Sequence, residues 1–431
     1  MLARLVLATV PLSPFDSYTS AYLRPQPVSF EIHPQKTPGP KYQGSYYPCR
    51  RADIPVARFS EEPTGVGHYK DTSRTRGLTV FPFSSFYFRQ PARAARSCWI
   101  GRVCAAGSFS PYAACSTLRL VIAAWNPSQP EITDLIVQHD PQTLERLPVG
   151  KQQVLNVFHK FGNRQALRAV EALPERDGRL DAHAIDRMFV TVHWEMQRLS
   201  EEFYHGPRVH ELLRAVIAAI RSHGVAGPLR VVDVGCGIGY NIRWLAAHTP
   251  LPAQGVELAG VDLNSALINE AARLARAENL PCQFVHGDAF SPQHSGQIYL
   301  STGVIHHFRG DSLVKFLHRH DQPEIHAFLH YDFQPWFLAP LGSWFFHLLR
   351  MRTAIARHDG VLSAARAYSA SELTEAARRG APGFVSGIYG AQIWNTPAPR
   401  VFHTLFGVRP SLVQELRRQL GCRLQRLGEL R

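Results

Sequence analysis

The chain has no apolar stretch of the length needed to cross a membrane, which excludes a helical membrane span. Its seven cysteines (Cys49, Cys98, Cys104, Cys115, Cys236, Cys282 and Cys422) form no C-x-x-C pair and have no histidine nearby at zinc spacing. Neither a disulfide framework nor a zinc site is expected, and the simplest compartment is a reducing cytoplasm. Met1 to Val10 carries a short apolar run behind one arginine, but Pro11 ends it and no small-residue cleavage site is obvious, so it is not read as a signal peptide. Acidic residues are also scarce, 34 against 47 lysines and arginines, and a formal charge of +13 first suggests a nucleic-acid partner. That excess is local. Residues 1 to 130 hold 15 basic residues against 6 acidic ones, so most of it lies in the first third of the chain and says little about a substrate.

The same 130 residues contain 15 of the 31 prolines, mixed with Ser, Tyr and Arg and without a helical or alternating period. They are expected to be a largely disordered basic tail. From Thr143 the pattern changes to helices: Gln152 to Phe161, Ala166 to Leu173, Asp181 to Phe203 and Pro207 to His223 carry apolar residues at three- and four-residue spacing. Residues 131 to 224 are therefore expected to form a helical cap, and 225 to 431 an α/β domain. His193, Trp194 and Glu195 on the longest cap helix read as core, and Glu202 to Gly206 as a candidate lid.

The most informative segment is Leu229 to Tyr240, LRVVDVGCGIGY. Leu229 to Val234 has the composition of a buried parallel strand and follows a Gly-Pro break. Gly235, Gly237 and Gly239 then allow backbone conformations closed to other residues and let a ligand approach without a Cβ in the way, at the start of the next helix. The dinucleotide fingerprint G-x-G-x-x-G/A needs a small residue where this chain has Tyr240, which disfavours nicotinamide and flavin cofactors. Further strands are expected at Glu257 to Val261, Cys282 to His286, Ile298 to Thr302 and Glu324 to Tyr331. Phe384 to Ile388 and Arg400 to Phe406 can supply two more. Between them lie helices at Asn241 to His248, Ser265 to Ala277, Gly310 to His320 and Ser369 to Arg379, the last with a capping box. A helical insertion is expected at about 334 to 360, and a terminal helix at Ser411 to Leu420.

The pattern D-x-G-x-G-x-G beginning at Asp233, with Asp262 ending the second strand, Gly287-Asp288-Ala289 after the third and Gly303-Val304-Ile305-His306-His307-Phe308 after the fourth, resembles class I S-adenosylmethionine-dependent methyltransferases. The resemblance implies a Rossmann-like sheet of seven strands, mostly parallel with one reversed. It implies S-adenosylmethionine as cofactor, bound by Asp233, Gly235, Gly237, Gly239, Asp262, Asp288 and Ala289. Asp262 would take the ribose hydroxyls, and Asp288 the adenine amino group. Two features depart from the family pattern: Gln297 replaces an acidic residue, and Asp321-Gln322-Pro323 replaces a Pro-Gly-Gly turn.

Methyl transfer from a sulfonium is an in-line displacement that requires no metal, and no metal ligand is expected here. A hydroxyl acceptor must lose its proton during attack, and histidine suits that task near neutral pH. His306 lies where acceptors sit in open α/β sheets and aligns with the base of plant phenolic O-methyltransferases, so it is the candidate catalytic residue. His330 and His347 are alternatives. Arg350, Arg352 and Arg357 are candidates for recognising an anionic group on the acceptor. The expected partner is a small or medium-sized methyl acceptor, attacked at oxygen. DNA is disfavoured because Ser301-Thr302-Gly303-Val304 is not the Asn/Asp-Pro-Pro-aromatic segment of base-amino enzymes. An RNA acceptor and a non-catalytic cofactor-binding protein are the competing readings.

Overall fold

A computed structural model describes residues 126–140, 142–390 and 401–421. The tail expected at 1 to 130 lies almost wholly outside these residues. Seven strands form the central sheet: β1 (Leu229–Val234), β2 (Val256–Asp262), β3 (Gln283–His286), β4 (Ile298–Thr302), β5 (Ala327–Phe333), β6 (Val385–Tyr389) and β7 (Phe402–Val408). Their order across the sheet is β3-β2-β1-β4-β5-β7-β6. Six strands run in one direction, and β7 runs antiparallel to both its neighbours, β5 and β6. This is the expected Rossmann-like arrangement with one reversed strand.

Successive side chains point to opposite faces of a strand, and both faces here are covered by helices. On one face Val231, Leu300 and Leu329 join the apolar sides of α5 (His205–Ser222), α6 (Tyr240–His248) and α12 (Val413–Leu420). On the other, Val232, Tyr299 and Phe328 meet α8 (Asp311–His318) and α11 (Ala370–Gly380). Each fully buried aliphatic side chain contributes about 1.5–3 kcal/mol. The capping box expected at α11 is present, with Ser369 and Glu372 each bonding the other's backbone N–H.

The helices before the sheet are α1 (Ile132–Ile136), α2 (Lys151–Phe161), α3 (Arg164–Glu171) and α4 (Ala182–Glu202), followed by α5. A two-residue antiparallel pairing, Glu175–Arg176 with Arg179–Leu180, links α3 to α4. The insertion consists of two helices, α9 (Ala339–Arg350) and α10 (Ala354–Ala365), so it runs past its expected end at about 360. Ile132, Phe158, Ile185 and Val192 of the cap share one apolar cluster with Met351, Ile355 and Ala356 of the insertion and with Leu267 and Leu274 of α7 (Ser265–Ala277). Cap and insertion are thus one helical layer.

Helix termini couple its parts. The buried Glu195 of α4 accepts the backbone N–H groups of Arg352 at 2.9 Å and Thr353 at 3.1 Å, at the start of α10. Asp359 of α10 accepts those of Ile132 at 2.8 Å and Thr133 at 3.0 Å, at the start of α1. A carboxylate at a helix amino end satisfies orphan donors and opposes the positive end of the helix dipole. Among the described residues no helix is long and apolar enough to cross a membrane.

Candidate active site

The loops after β3, β2, β1, β4 and β5 lie side by side at the carboxyl edge of the sheet, and backbone hydrogen bonds tie them together. Gly287 N–H donates to Asp262 O at 3.0 Å, Gly235 N–H to Val261 O at 2.9 Å and Gly303 N–H to Tyr331 O at 2.8 Å. This places the sequence-predicted positions 233 to 239, 262, 288, 289 and 306 on one edge.

The three glycines after β1 have φ of +66°, +56° and +76°, a region that L side chains rarely adopt. Each also has a close neighbour. A Cβ at Gly235 would stand 3.1 Å from Val304 Cγ2, one at Gly237 would stand 2.6 Å from the His193 ring, and one at Gly239 would overlap Phe284. His193, read as a core residue from its spacing, therefore reaches the glycine loop from α4. Its Nδ1 bonds Phe189 O at 2.9 Å, and burial lowers its pKa. Cys236 within the loop is a filler: burial, then Asp262 and Asp233, pushes its thiol pKa well up and away from thiolate chemistry.

Asp233 ends β1 almost fully buried, and its Oδ1 has no hydrogen-bond partner. Burial, then the charge of Asp262, raises its pKa well above the carboxylate range. A buried acceptor left unpaired costs about 1–3 kcal/mol. A ligand ammonium or other donor resting on the glycine floor would satisfy it. Asp262 accepts Gly237 N–H through Oδ2 and Asn264 N–H through Oδ1, both at 2.9 Å. A carboxylate has about four lone-pair sites, so it retains acceptor capacity for hydroxyl donors. The cap of α7 is Asn264, whose Oδ1 accepts Ala266 N–H at 2.9 Å and Leu267 N–H at 3.3 Å. Asp288 accepts Phe290 N–H at 3.0 Å and pairs with Arg319, while Ala289 is buried with its carbonyl on the Tyr299 hydroxyl. Next to Asp262 opens a cavity of about 200 Å³, lined among others by His139, Arg146, Asp186, Leu263, Asn264 and His286. Asp233, Asp262 and the glycine loop fit an adenosyl sulfonium carrying an ammonium group and ribose hydroxyls.

These are also the segments that match known proteins. Residues 231–322 match the family model of a methyltransferase domain. The matched segment spans β1 to α8, the part of the sheet that carries the glycine loop, Asp262 and Asp288. Ribosomal RNA small subunit methyltransferase C of Alcanivorax borkumensis is 31% identical over 90 residues, 21% of this chain and 26% of that protein. The chain thus matches about a quarter of that curated relative's length. Among solved structures, the plantazolicin methyltransferase BpumL in complex with a monoazolic desmethylPZN analog and SAH is 14% identical. That likeness has a TM-score of 0.35 and covers 52% of this chain and 95% of that one. An S-adenosylmethionine-dependent methyltransferase from Aquifex aeolicus is 12% identical, with a TM-score of 0.31, over 47% and 93% of the two chains.

On the acceptor side of the methyltransferase domain, the loop after β4 meets the end of β5. His306 is buried. Its Nδ1 lies 2.8 Å from Asp332 Oδ1, and its backbone N–H donates to Asp332 Oδ2 at 3.0 Å. Burial opposes the charge on Asp332, but the neighbouring His306 holds that carboxyl's pKa below its ordinary value. His306 Nε2 has no hydrogen-bond partner and lies 3.5 Å from Glu131 Oε1. The next residue, His307, bonds Asp134 Oδ1 at 2.7 Å through Nδ1. Burial disfavours its charge, but Glu131 and Asp134 override this and raise its pKa to about 9. Arg366 completes the group, 3.4 Å from Glu131 and 2.7 Å from Asp134.

The structure separates His306 from its alternatives. His330 is fully buried, bonded to Ser301 Oγ at 2.9 Å and packed among Phe316, Phe328 and His320. His347 bonds Ser343 O within α9 and touches Gly360. Of the three arginines, Arg350 pairs with Glu202 and Arg357 bonds Met351 O, while Arg352 is exposed. The Glu202 to Gly206 segment is a packed junction, with His205 edge-on to Phe402 at 4.5 Å and Gly206 against Trp244. Sequence reasoning missed Glu131, Asp134 and Arg366, and Asp332 lay one residue past the expected end of its strand.

Proposed function

We propose that the chain transfers a methyl group from S-adenosylmethionine to a hydroxyl oxygen of a small or medium-sized acceptor. The observation that carries this reading is His306, whose Nδ1 is held by Asp332 at 2.8 Å while its buried Nε2 has no hydrogen-bond partner. When bound, S-adenosylmethionine supplies an electrophilic methyl group on a sulfonium that leaves as a neutral thioether. Gly235, Gly237 and Gly239 would floor its site, Asp233 would meet its ammonium, Asp262 the ribose hydroxyls and Asp288 the adenine amino group, with Ala289 beside the ring. The helical layer of cap and insertion excludes water. His306 Nε2 activates the acceptor, taking the hydroxyl proton as the oxygen gains the methyl group. Glu131 stands at that nitrogen in this structure, so the acceptor reaches it only when the segment carrying Glu131 gives way.

The test is calorimetric titration with S-adenosylmethionine, followed by incubation with labelled methyl donor and a panel of phenols, fatty acids, polyketides and transfer RNA. Label in a hydroxyl-bearing small acceptor is the expected result. Label in RNA alone would replace the acceptor class, and cofactor binding without any product would leave a non-catalytic binder.

A further inference from the structure

We propose that Glu131, His306 and His307 hold a divalent transition-metal ion at the acceptor side of the methyltransferase site. One ligand atom from each of the three residues lies within 4.8 Å of the others. To ligate through Nδ1, His307 gives up its 2.7 Å bond to Asp134. Glu131 Oε1 is 3.5 Å from His306 Nε2, and Oε2 is 3.8 Å from His307 Nδ1. Ligands about 2.1 Å from one ion sit closer together than this, so the atoms must draw in by up to about 1 Å.

Three features mark the cluster as more than buried polar packing. His306 is only 4% exposed at its side chain, yet its Nε2 is aimed at the cluster and has no hydrogen-bond partner. Its other nitrogen is held by a carboxylate, Asp332, as in metal-bound histidines generally, where an outer partner fixes the tautomer and ring orientation. Glu131 is oriented in the same way, its Oε1 accepting the Ser363 hydroxyl at 3.0 Å. Charge is the third feature. Glu131, Asp134 and Asp332 face the Arg366 guanidinium and the His307 imidazole. Ligation at His307 Nδ1 displaces its proton, and a divalent cation would take that place among the three carboxylates. Two imidazoles and a carboxylate suit zinc, manganese or ferrous iron, whereas calcium and magnesium prefer oxygen.

The site goes beyond the methyltransferase reading, and only its use rests on that reading. The lone pair at Nε2 would then act through the cation, which polarises a coordinated hydroxyl as the proton departs to solvent water. With the ion bound, His306 Nε2 is a ligand and not the base, so a confirmed site moves hydroxyl activation from His306 to the cation and leaves the methyl-transfer reading itself in place.

The full chain, stripped with chelator, would be titrated with zinc and manganese by calorimetry, and its absorption recorded after loading with cobalt(II). The expected result is one site per chain, weakened at least tenfold by Glu131→Gln and by His307→Asn, with a cobalt spectrum of nitrogen ligation. S-adenosylmethionine titration of the same samples checks that the variants are folded. Should a variant fail that check, X-ray absorption of the zinc-loaded wild type decides by counting two imidazoles. No stoichiometric binding, or binding unchanged by Glu131→Gln, would overturn the site. Failure of methyl transfer with an intact metal isotherm would count against the functional reading alone.

Discussion

At the scale of single residues, Gly237 and Asp332 make the sharpest demands. Alanine at 237 would have to hold φ near +56° and push its Cβ into the His193 ring 2.6 Å away. We expect Gly237→Ala to cost about 1–3 kcal/mol of stability by denaturant unfolding and at least about tenfold in S-adenosylmethionine affinity by calorimetry. Every partner of the Asp332 carboxylate is a donor: His306 Nδ1–H, His306 N–H and Phe333 N–H. An amide there must meet one of them with its own N–H. Asp332→Asn should therefore lower kcat by about a hundredfold while leaving cofactor affinity within about twofold, a split that general unfolding would not give. His320 and His205 are held neutral by burial, each with its pKa lowered to about 3. The unfolded chain takes up those protons near pH 6.5, so stability is lost as pH falls from about 6.5 towards 3. From pH 7 to 5 each histidine should cost about 2 kcal/mol, and His320→Phe should remove its share when urea unfolding is compared at the two pH values.

At the scale of elements, legibility followed burial pattern. β1, β4 and α7 were readable to the residue because a buried parallel strand is a short apolar run and an amphipathic helix has a period. The start of β5 was placed three residues early because the buried Ile325 extends the apolar pattern of the strand past the polar His326. α1 has only five residues, too few to show a period, and its first N–H groups are satisfied by Asp359, 227 positions away. α10 was cut short because Gly360 and the buried His358 and Asp359 interrupt its apolar face. Glu131 was invisible because its partners come from the loop after β4 and from α10 and its carboxyl end. Asp359→Ala should cost about 2–4 kcal/mol, since it strands two helix donors, and should speed hydrogen exchange across 131–137. Disrupting the exposed capping box by Ser369→Ala should cost about 1 kcal/mol.

At the scale of the whole molecule, the domain consists of a sheet covered on two faces and a helical layer built from both chain-distant parts, the cap and the insertion. The donor half of the site was legible because its residues follow strand ends in serial order. The acceptor half was not, because its members are separated by more than two hundred residues, as Glu131 and Ser363 are. We expect hydrogen exchange to rank these layers, slowest in β1, β4 and β5 and faster in the helices of the layer, with S-adenosylmethionine slowing the loop at 235 to 239 and α4 most. Faster exchange in β1 than in α2 would contradict this order.

The clasp between Glu131, His306 and Arg366 also sets a timetable for biosynthesis. The nucleotide-side loops have all left the ribosome once β4 is made, whereas this corner waits about sixty residues longer for Arg366. A nascent or prematurely terminated chain would therefore own a donor pocket before it owns a finished workbench, and its earliest helices would have to remain undocked until translation catches up.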